Sequence, residues 1–304
     1  MVKHSLLICA VACVPIGGCA SSSSLTRETT SPAESKVTTT SVTRASVGAL
    51  TDEVELLSSW RLPVADEAAA SVALQNQVSE CMQERGFDHL SPELSDLTEG
   101  IRYRNLAEAY DGRPATHAST TIGPAPTESD PNSEIIASLS ESERTLYFAN
   151  LVGSGQEVVE VEGFDGSTIR ANADGCYAKA RLEIFGSLQE LADIEWLVGN
   201  LHSAAVASAS VDEHVLDATL EWSMCMQAYG YNFAAFSEAA EARATVAGPE
   251  FETQLSADIS CTESSGLGDA FSVAYEDVVE EYLDKNAEAL QWYQQRQLAT
   301  ISDR

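Results

Sequence analysis

Four cysteines that lie beyond residue 80 have the clearest spacing for covalent chemistry in this chain. Cys81 opens C-M-Q-E-R-G-F and Cys225 opens C-M-Q-A-Y-G-Y, so both copies match the pattern C-M-Q-x-x-G-aromatic. One further cysteine follows each copy, Cys176 or Cys261. An even number of cysteines is typical of disulfides when a chain is exported, and none of these residues has metal-ligand spacing. The repeat predicts the pairs Cys81–Cys176 and Cys225–Cys261, although the two other connectivities stay open.

Each copy is placed to tie the end of one helix to the start of another. Gly86 and Gly230 follow their cysteines by five residues and are expected to end the two helices. An Ala-Asp pair, at 173–174 or 257–258, precedes the second cysteine of each unit. We therefore expect the first cysteine to face the start of the helix that follows this Ala-Asp signal. In the chain-entropy model each disulfide should stabilise the fold by roughly 3–5 kcal/mol.

No other set of side chains matches a catalytic or metal-binding pattern. The sequence has no G-x-S-x-G, phosphate-binding glycine loop, H-E-x-x-H or EF-hand loop. It therefore predicts no catalytic residue, no metal site and no cofactor. Of the histidines beyond the signal peptide, His117 lies in a Pro-rich stretch, and three are expected on the surface or satisfied in helices: His89, His202 and His214. An acidic cluster is expected to be a solvated helix face, with a weak calcium or cationic-partner site as the alternative: Glu276, Asp277, Glu280, Glu281 and Asp284. Four aromatic residues are expected in the core rather than in a ligand cage: Tyr229, Tyr231, Phe233 and Phe236.

The N-terminal residues predict export and a lipid anchor. The apolar run from Leu6 to Val14 is too short to span a bilayer and fits a cleaved signal peptide. The small residues before Cys19 look like a bacterial lipobox, which predicts a signal peptide at 1–18 and lipidation of the Cys19 thiol. An ordinary secretory signal peptide cut nearby is the alternative. Two acyl chains are needed for firm anchoring.

The charge balance limits the partners. A formal net charge of −30 arises from 47 acidic and 17 basic residues. Such a chain opposes binding to nucleic acid and to anionic lipid surfaces, both of which attract clusters of Lys and Arg. No apolar run beyond Cys19 approaches eighteen residues. The expected membrane contact is therefore the lipid on Cys19, with an envelope protein as a further partner.

The chain divides into four segments. After the signal peptide, residues 19–48 are rich in Ser and Thr and are expected to form a disordered tether. Residues 49–208 predict a first helical module with one β-hairpin, and residues 209–304 predict a second helical module. A Pro-rich stretch at 111–132 is expected to be a surface excursion.

Apolar periodicity predicts a mainly α fold with two stapled helix modules. Helices are expected at 66–85, 133–150 and 176–207, the last with interruptions at Gly186 or Gly199. A capping box at 210–213 should start the helix that ends before Gly230, and 251–301 should be helical with a break near 264–268.

A single β-hairpin is expected at 158–171. A three-residue loop at 164–166 sets Val161 opposite Ile169 and Glu160 opposite Arg170, a favourable pair that a two-residue Asp-Gly loop does not allow.

The combination of lipobox, polar tether and repeated cysteine module resembles uncharacterised lipoproteins of actinobacteria. The helix start at 140–144 and the hairpin before Gly175-Cys176 are also similar to that group. The resemblance covers most of the chain beyond the tether. It implies an extracytoplasmic location and a helical fold, and it carries over no activity and no functional residue.

Two classes of function follow as expectations. The first is a lipid-anchored protein on the extracytoplasmic face of the cell membrane, with a binding or scaffold role. The alternative is an extracytoplasmic enzyme whose active site is assembled from distant residues. An exposed apolar patch would favour the first, and a pocket that contains titratable groups with shifted pKa values would favour the second.

Overall fold

The computed structural model describes residues 60–116, 130–163 and 168–302, and this part of the chain is mainly helical, as predicted. It contains eleven helices and one two-stranded antiparallel sheet. The first elements are α1 (Val64–Glu84), α2 (Leu94–Tyr110), α3 (Ser133–Ser138), α4 (Glu141–Val152), β1 (Val158–Glu162) and β2 (Thr168–Asn172). They are followed by α5 (Gly175–Phe185), α6 (Leu188–Ala209), α7 (Glu213–Ala228), α8 (Phe236–Ala244), α9 (Pro249–Ser265), α10 (Leu267–Lys285) and α11 (Ala287–Ser302).

Two apolar clusters hold the helices together. The larger cluster joins α6, α7 and α10 around the fully buried side chains of Leu201, Trp222 and Tyr275. It takes residues from both predicted segments, 49–208 and 209–304. The smaller cluster joins α1, α4 and α5 around Met82 and Tyr147. Each cluster contains cysteines of one repeat unit, so each disulfide is part of an apolar core.

Both disulfides are as predicted, and the repeated sequence forms the same helix end twice. Cys81 is bonded to Cys176 and Cys225 to Cys261, with Cα atoms 5.6 Å apart in each pair. After each helix the aromatic N–H donates to the Met carbonyl of the motif at 3.0 Å, and the glycine N–H donates to the Gln carbonyl. These two bonds define a Schellman motif, in which the glycine takes a positive φ. The Gly that follows Gln by three residues is therefore a stop signal that the backbone requires.

A serine two residues before each cysteine extends the repeat. Ser79 and Ser223 are both buried, and both bind the chain that follows the helix end. Ser79 Oγ lies 3.2 Å from Ser91 Oγ, while Ser223 Oγ donates to the carbonyl of Phe233 at 2.6 Å. The full repeated pattern is therefore S-x-C-M-Q-x-x-G-aromatic.

The two second cysteines differ in position, and here the prediction was wrong for one of them. Cys176 is the second residue of α5, which begins directly after the expected Ala-Asp signal. Cys261 lies near the end of α9, and Ala257-Asp258 lies within that helix. Asp258 is not a helix cap, and its carboxylate is buried against Arg243 and Trp222. The first disulfide thus ties a helix end to a helix start, and the second ties two helix ends.

Close backbone packing places Cys176. Gly175 has φ +93°, and a Cβ added there would lie 2.5 Å from the backbone nitrogen of Gly153. Only glycine allows this approach between the end of α4 and the start of α5.

The hairpin has the predicted register. Val161 pairs with Ile169, Glu160 with Arg170 and Val159 with Ala171. The Arg170 guanidinium contacts the Glu160 carboxylate at 2.8 Å on the exposed face, while Val161 is buried. The predicted turn at 164–166 lies outside the described residues.

Several helix boundaries differ from the prediction. The expected helix at 133–150 is divided into α3 and α4, because Ser140 forms a capping box with Glu143 and starts a new helix. Gly186 ends α5, whereas Gly199 lies within α6 without interrupting it. Two helices, α2 and α8, were not predicted.

The start of α7 also differs from the prediction. Ser210 was expected as the N-cap, but it ends α6, and its Oγ donates to the carbonyl of Val206 at 2.7 Å. Asp212 is the N-cap of α7, and its Oδ1 accepts from the backbone N–H of His214 at 2.9 Å. A side chain that completes the preceding helix is not available to start the next one.

Candidate partner-binding surface

Helix α7 is fixed at both ends and on its inner face. Asp212 caps its first turn, and the Cys225–Cys261 disulfide ties its last turn to α9. Between them, Trp222 Nε1 donates to Asp258 at 2.8 Å. The inner face buries Val215, Ala218, Trp222 and Met226 in the larger apolar cluster. These contacts hold the outer face of α7 in one orientation relative to the core.

The outer face of α7 is also apolar. Leu216, Leu220 and Met224 are 53%, 63% and 56% exposed. Their spacing of four residues places them in one row along the helix. We call these three residues the apolar stripe. Large exposed side chains that are contiguous differ from the single exposed apolar residues that are normal on a protein surface.

Acidic residues lie beside the apolar stripe. Asp217 and Glu221 follow Leu216 and Leu220 by one residue, and Glu213 lies one turn before Asp217. All three are exposed. We call Glu213, Asp217 and Glu221 the acidic edge. Helix α7 contains no Lys or Arg, so its outer face combines an apolar row with uncompensated negative charge.

Several titratable groups with shifted pKa values lie in the interior, where they bind other parts of the fold. Burial raises the pKa of Asp258, although the adjacent Arg243 guanidinium opposes this shift. Burial also raises the pKa of Glu195, which lies 3.5 Å from Arg181. The Arg243–Asp258 pair is buried and joins α8 to α9, whereas the Arg181–Glu195 pair is partly buried and joins α5 to α6.

Two buried histidines are each bonded to a buried tyrosine. His89 Nδ1 lies 2.6 Å from Tyr147 Oη, and burial raises the pKa of Tyr147 to about 12. His202 Nε2 donates to the carbonyl of Asp111 at 2.9 Å, so its Nδ1 accepts from Tyr275 Oη at 2.9 Å. Burial lowers the pKa of both histidines, which favours the neutral form. Each pair therefore satisfies two polar side chains inside an apolar region.

A cleft of about 450 Å³ lies between the end of α7 and one face of α9. Its lining is Tyr229, Glu252, Thr253, Ser256, Ala257 and Ser260. None of the buried histidines, tyrosines or ion pairs described above contributes to it. Among the described residues, no group of three His, Cys, Asp or Glu is arranged to hold a metal ion.

The structure places the other predicted residues as follows. Cys19 and His117 lie outside the described residues, and His214 is exposed at the start of α7. The acidic cluster at 276–284 is an exposed face of α10, and Glu281 forms the expected ion pair with Lys285. Tyr231, Phe233 and Phe236 pack on the larger apolar cluster, as predicted. Tyr229 was expected in the core and is 57% exposed, because it follows the last turn of α7.

The apolar stripe is the feature that the sequence analysis missed. The signal was present, since Leu216, Leu220 and Met224 recur every four residues. However, Trp222 and Met226 form a second apolar row on the same helix. Periodicity alone does not tell which of two rows is buried.

No helix among the described residues is both long and apolar enough to cross a bilayer. Comparisons with protein-family models, with curated proteins and with solved structures found no match.

Proposed function

We propose that this protein is anchored by lipid to the extracytoplasmic face of the cell membrane, where it binds another protein through α7. The exposed apolar stripe of α7 is the observation that supports a binding role, since such a surface is typical of interaction sites. The small residues before Cys19 and the apolar run at 6–14 support the anchor. The resemblance to actinobacterial lipoproteins supports the same location.

The two disulfides are consistent with an oxidising compartment. Disulfides persist outside the cytoplasm and are rare within it. Both pairs lie next to apolar clusters and tie helices that are 95 and 36 residues apart in sequence.

The anchor is tested at Cys19. Mass spectrometry of the mature N-terminus should find a lipidated cysteine, and Cys19→Ala should release the protein from the membrane fraction. Cys13→Ala is the matched control, since this cysteine lies in the expected signal peptide and should leave lipidation unchanged. An unmodified N-terminus at another residue would contradict the anchor.

The binding role is tested by site-specific cross-linking in the native envelope. A photoreactive residue in place of Leu220 should yield a defined adduct with another protein. The same residue in place of Leu182, which is exposed on α5, is the matched control and should not yield that adduct. Equal adducts from both positions, or none from Leu220, would contradict binding through α7.

A further inference from the structure

We infer that the apolar stripe and acidic edge of α7 bind a basic amphipathic helix of the partner. This inference rests on the proposed binding role and specifies the chemistry of the partner. It commits to a helix with one apolar row and with Lys or Arg beside that row.

The dimensions of the surface fit a helix. From Leu216 to Met224 the stripe spans about 12 Å, at 1.5 Å per residue. A second helix can pack along it when its own apolar side chains recur every three or four residues. Amphipathic helices that bind proteins present this spacing of anchors. Three exposed side chains form a small contact, as expected for a reversible complex.

The acidic edge determines the charge of the partner. Asp217 and Glu221 lie next to the stripe, so they flank any helix that packs on it. The helix offers no Lys or Arg to balance them, and the whole chain carries a formal net charge of −30. Lys or Arg on the facing edge of the partner would be attracted at long range and held in register at contact.

The first repeat unit differs at the same face. Aligned through the shared motif, α1 places Ala73 where α7 has Asp217, and Ala73 is buried. At the three stripe positions α1 has Val72, Asn76 and Glu80, and Glu80 is exposed. Helix α1 contacts α2, α4, α5 and α11, whereas the main contacts of α7 are with α9 and α10. The apolar stripe is therefore particular to α7 and is not part of the repeat.

Charge disfavours two other occupants. In a dimer made by packing two copies of α7, the acidic edges would lie together and repel each other. A bilayer surface that contains anionic lipids would repel Asp217 and Glu221 beside the stripe. A basic helix is the occupant that satisfies both the apolar row and the charge.

The test uses the purified full-length protein with Cys19→Ser, so that no lipid competes for the stripe. The probe is a fluorescent helical peptide of about 18 residues, five turns, with leucine on one face and lysine on its flanks. A second peptide carries glutamate in place of every lysine. Fluorescence anisotropy at about 150 mM salt, which screens distant charges, should detect binding of the basic peptide alone.

Variants of the surface should change this binding in opposite ways. Leu220→Ser should lower the affinity for the basic peptide by roughly tenfold, which corresponds to about 1.4 kcal/mol. Asp217→Lys with Glu221→Lys should reverse the preference, so that the acidic peptide binds instead. The matched control is Glu276→Lys with Glu280→Lys, which makes the same change in net charge on α10 and should leave binding within about twofold.

Four results would overturn the inference. Equal weakening by the control variant would show that total charge alone attracts the peptide. An unchanged affinity for the peptide in both Leu220→Ser and Met224→Gln, with wild-type melting curves, would show that the stripe is not part of the binding site. Self-association that Leu220→Ser abolishes, without peptide binding, would indicate a second copy. Binding to anionic vesicles but not to the peptide would indicate the membrane.

The test also separates this inference from the proposed function. A cross-link from Leu220 without peptide binding would support the proposed binding role and contradict only the inference that the partner is a basic helix. Peptide binding by the Cys19→Ser protein, together with a native N-terminus that carries no lipid, would contradict only the anchor.

Discussion

Removal of each disulfide in turn should cost unequal amounts of stability. The Cys81–Cys176 bond closes a segment of 95 residues, and the Cys225–Cys261 bond closes one of 36 residues. In the chain-entropy model these bonds restrict the unfolded chain by about 4.7 and about 3.8 kcal/mol. The first bond should therefore contribute about 0.9 kcal/mol more than the second.

The surroundings of the sulfur atoms should add to this difference. Cys81 and Cys176 are both buried, together with Val78 and Met82, in the smaller apolar cluster. Cys261 is buried, but Cys225 is only partly buried. Replacement of a buried sulfur leaves a cavity, whereas a partly exposed site refills with water at lower cost. The same difference in exposure should let a reductant reach Cys225 first.

The assay compares two double variants, Cys81→Ala with Cys176→Ala and Cys225→Ala with Cys261→Ala. Urea unfolding followed by circular dichroism gives the free energy of unfolding of each. The first variant should lose about 1 kcal/mol more than the second. In a parallel experiment, stepwise reduction followed by alkylation and peptide mapping should label Cys225 before Cys81.

An equal loss in the two variants, or a larger loss for the shorter loop, would refute the entropy argument for this protein. Labelling of Cys81 before Cys225 would refute the argument from exposure. The two readouts are independent, so one can fail without the other.

Three further predictions concern single side chains in the interior. Arg243→Met should lower the free energy of unfolding by about 3–5 kcal/mol at pH 7, because it leaves the buried Asp258 carboxylate without a counterion. Burial raises the pKa of Asp258, so urea unfolding should show a smaller loss as the pH falls and that carboxyl binds a proton. Gly175→Ala should lower the melting temperature far more than Gly186→Ala, because a Cβ at Gly175 meets backbone at 2.5 Å whereas one at Gly186 has no atom within 4 Å. Burial lowers the pKa of His202 below its unfolded value of about 6.5, so its stabilising effect is complete above that pH and is lost as the pH falls towards the folded pKa. His202→Gln should therefore reduce the slope of stability against pH in this window by at most about 1.4 kcal/mol per pH unit.

Each of these predictions has a control and a contrary result. Arg243→Lys keeps the charge and should cost less than Arg243→Met, and a loss that does not change with pH would contradict the role of Asp258. Equal melting temperatures for the two glycine variants would contradict the close approach at Gly175. An unchanged slope in His202→Gln would show that this histidine does not carry the pH dependence.

Local patterns in the sequence predicted much of the secondary structure. The C-M-Q-x-x-G-aromatic motif ends a helix twice, because its hydrogen bonds join residues only three to five positions apart. The hairpin register followed from the pairing of Glu160 with Arg170 across a short loop. Errors arose where neighbouring elements compete for one residue, as at Ser210, which ends α6 instead of starting α7.

The sequence by itself determined the helical class and the helix ends at Gly86 and Gly230. Its repeat also favoured the pairing of cysteines within units, although it left two other connectivities open. These features depend on backbone preferences and on contacts within one unit. Only the tertiary structure decided which apolar row of α7 is buried and that Asp258 lies inside α9 beside Arg243. Burial depends on what packs against a residue from distant parts of the chain, and periodicity does not contain that information. Trp222 faces the core because α9 and α10 pack there, and Leu220 is exposed because no described helix covers it.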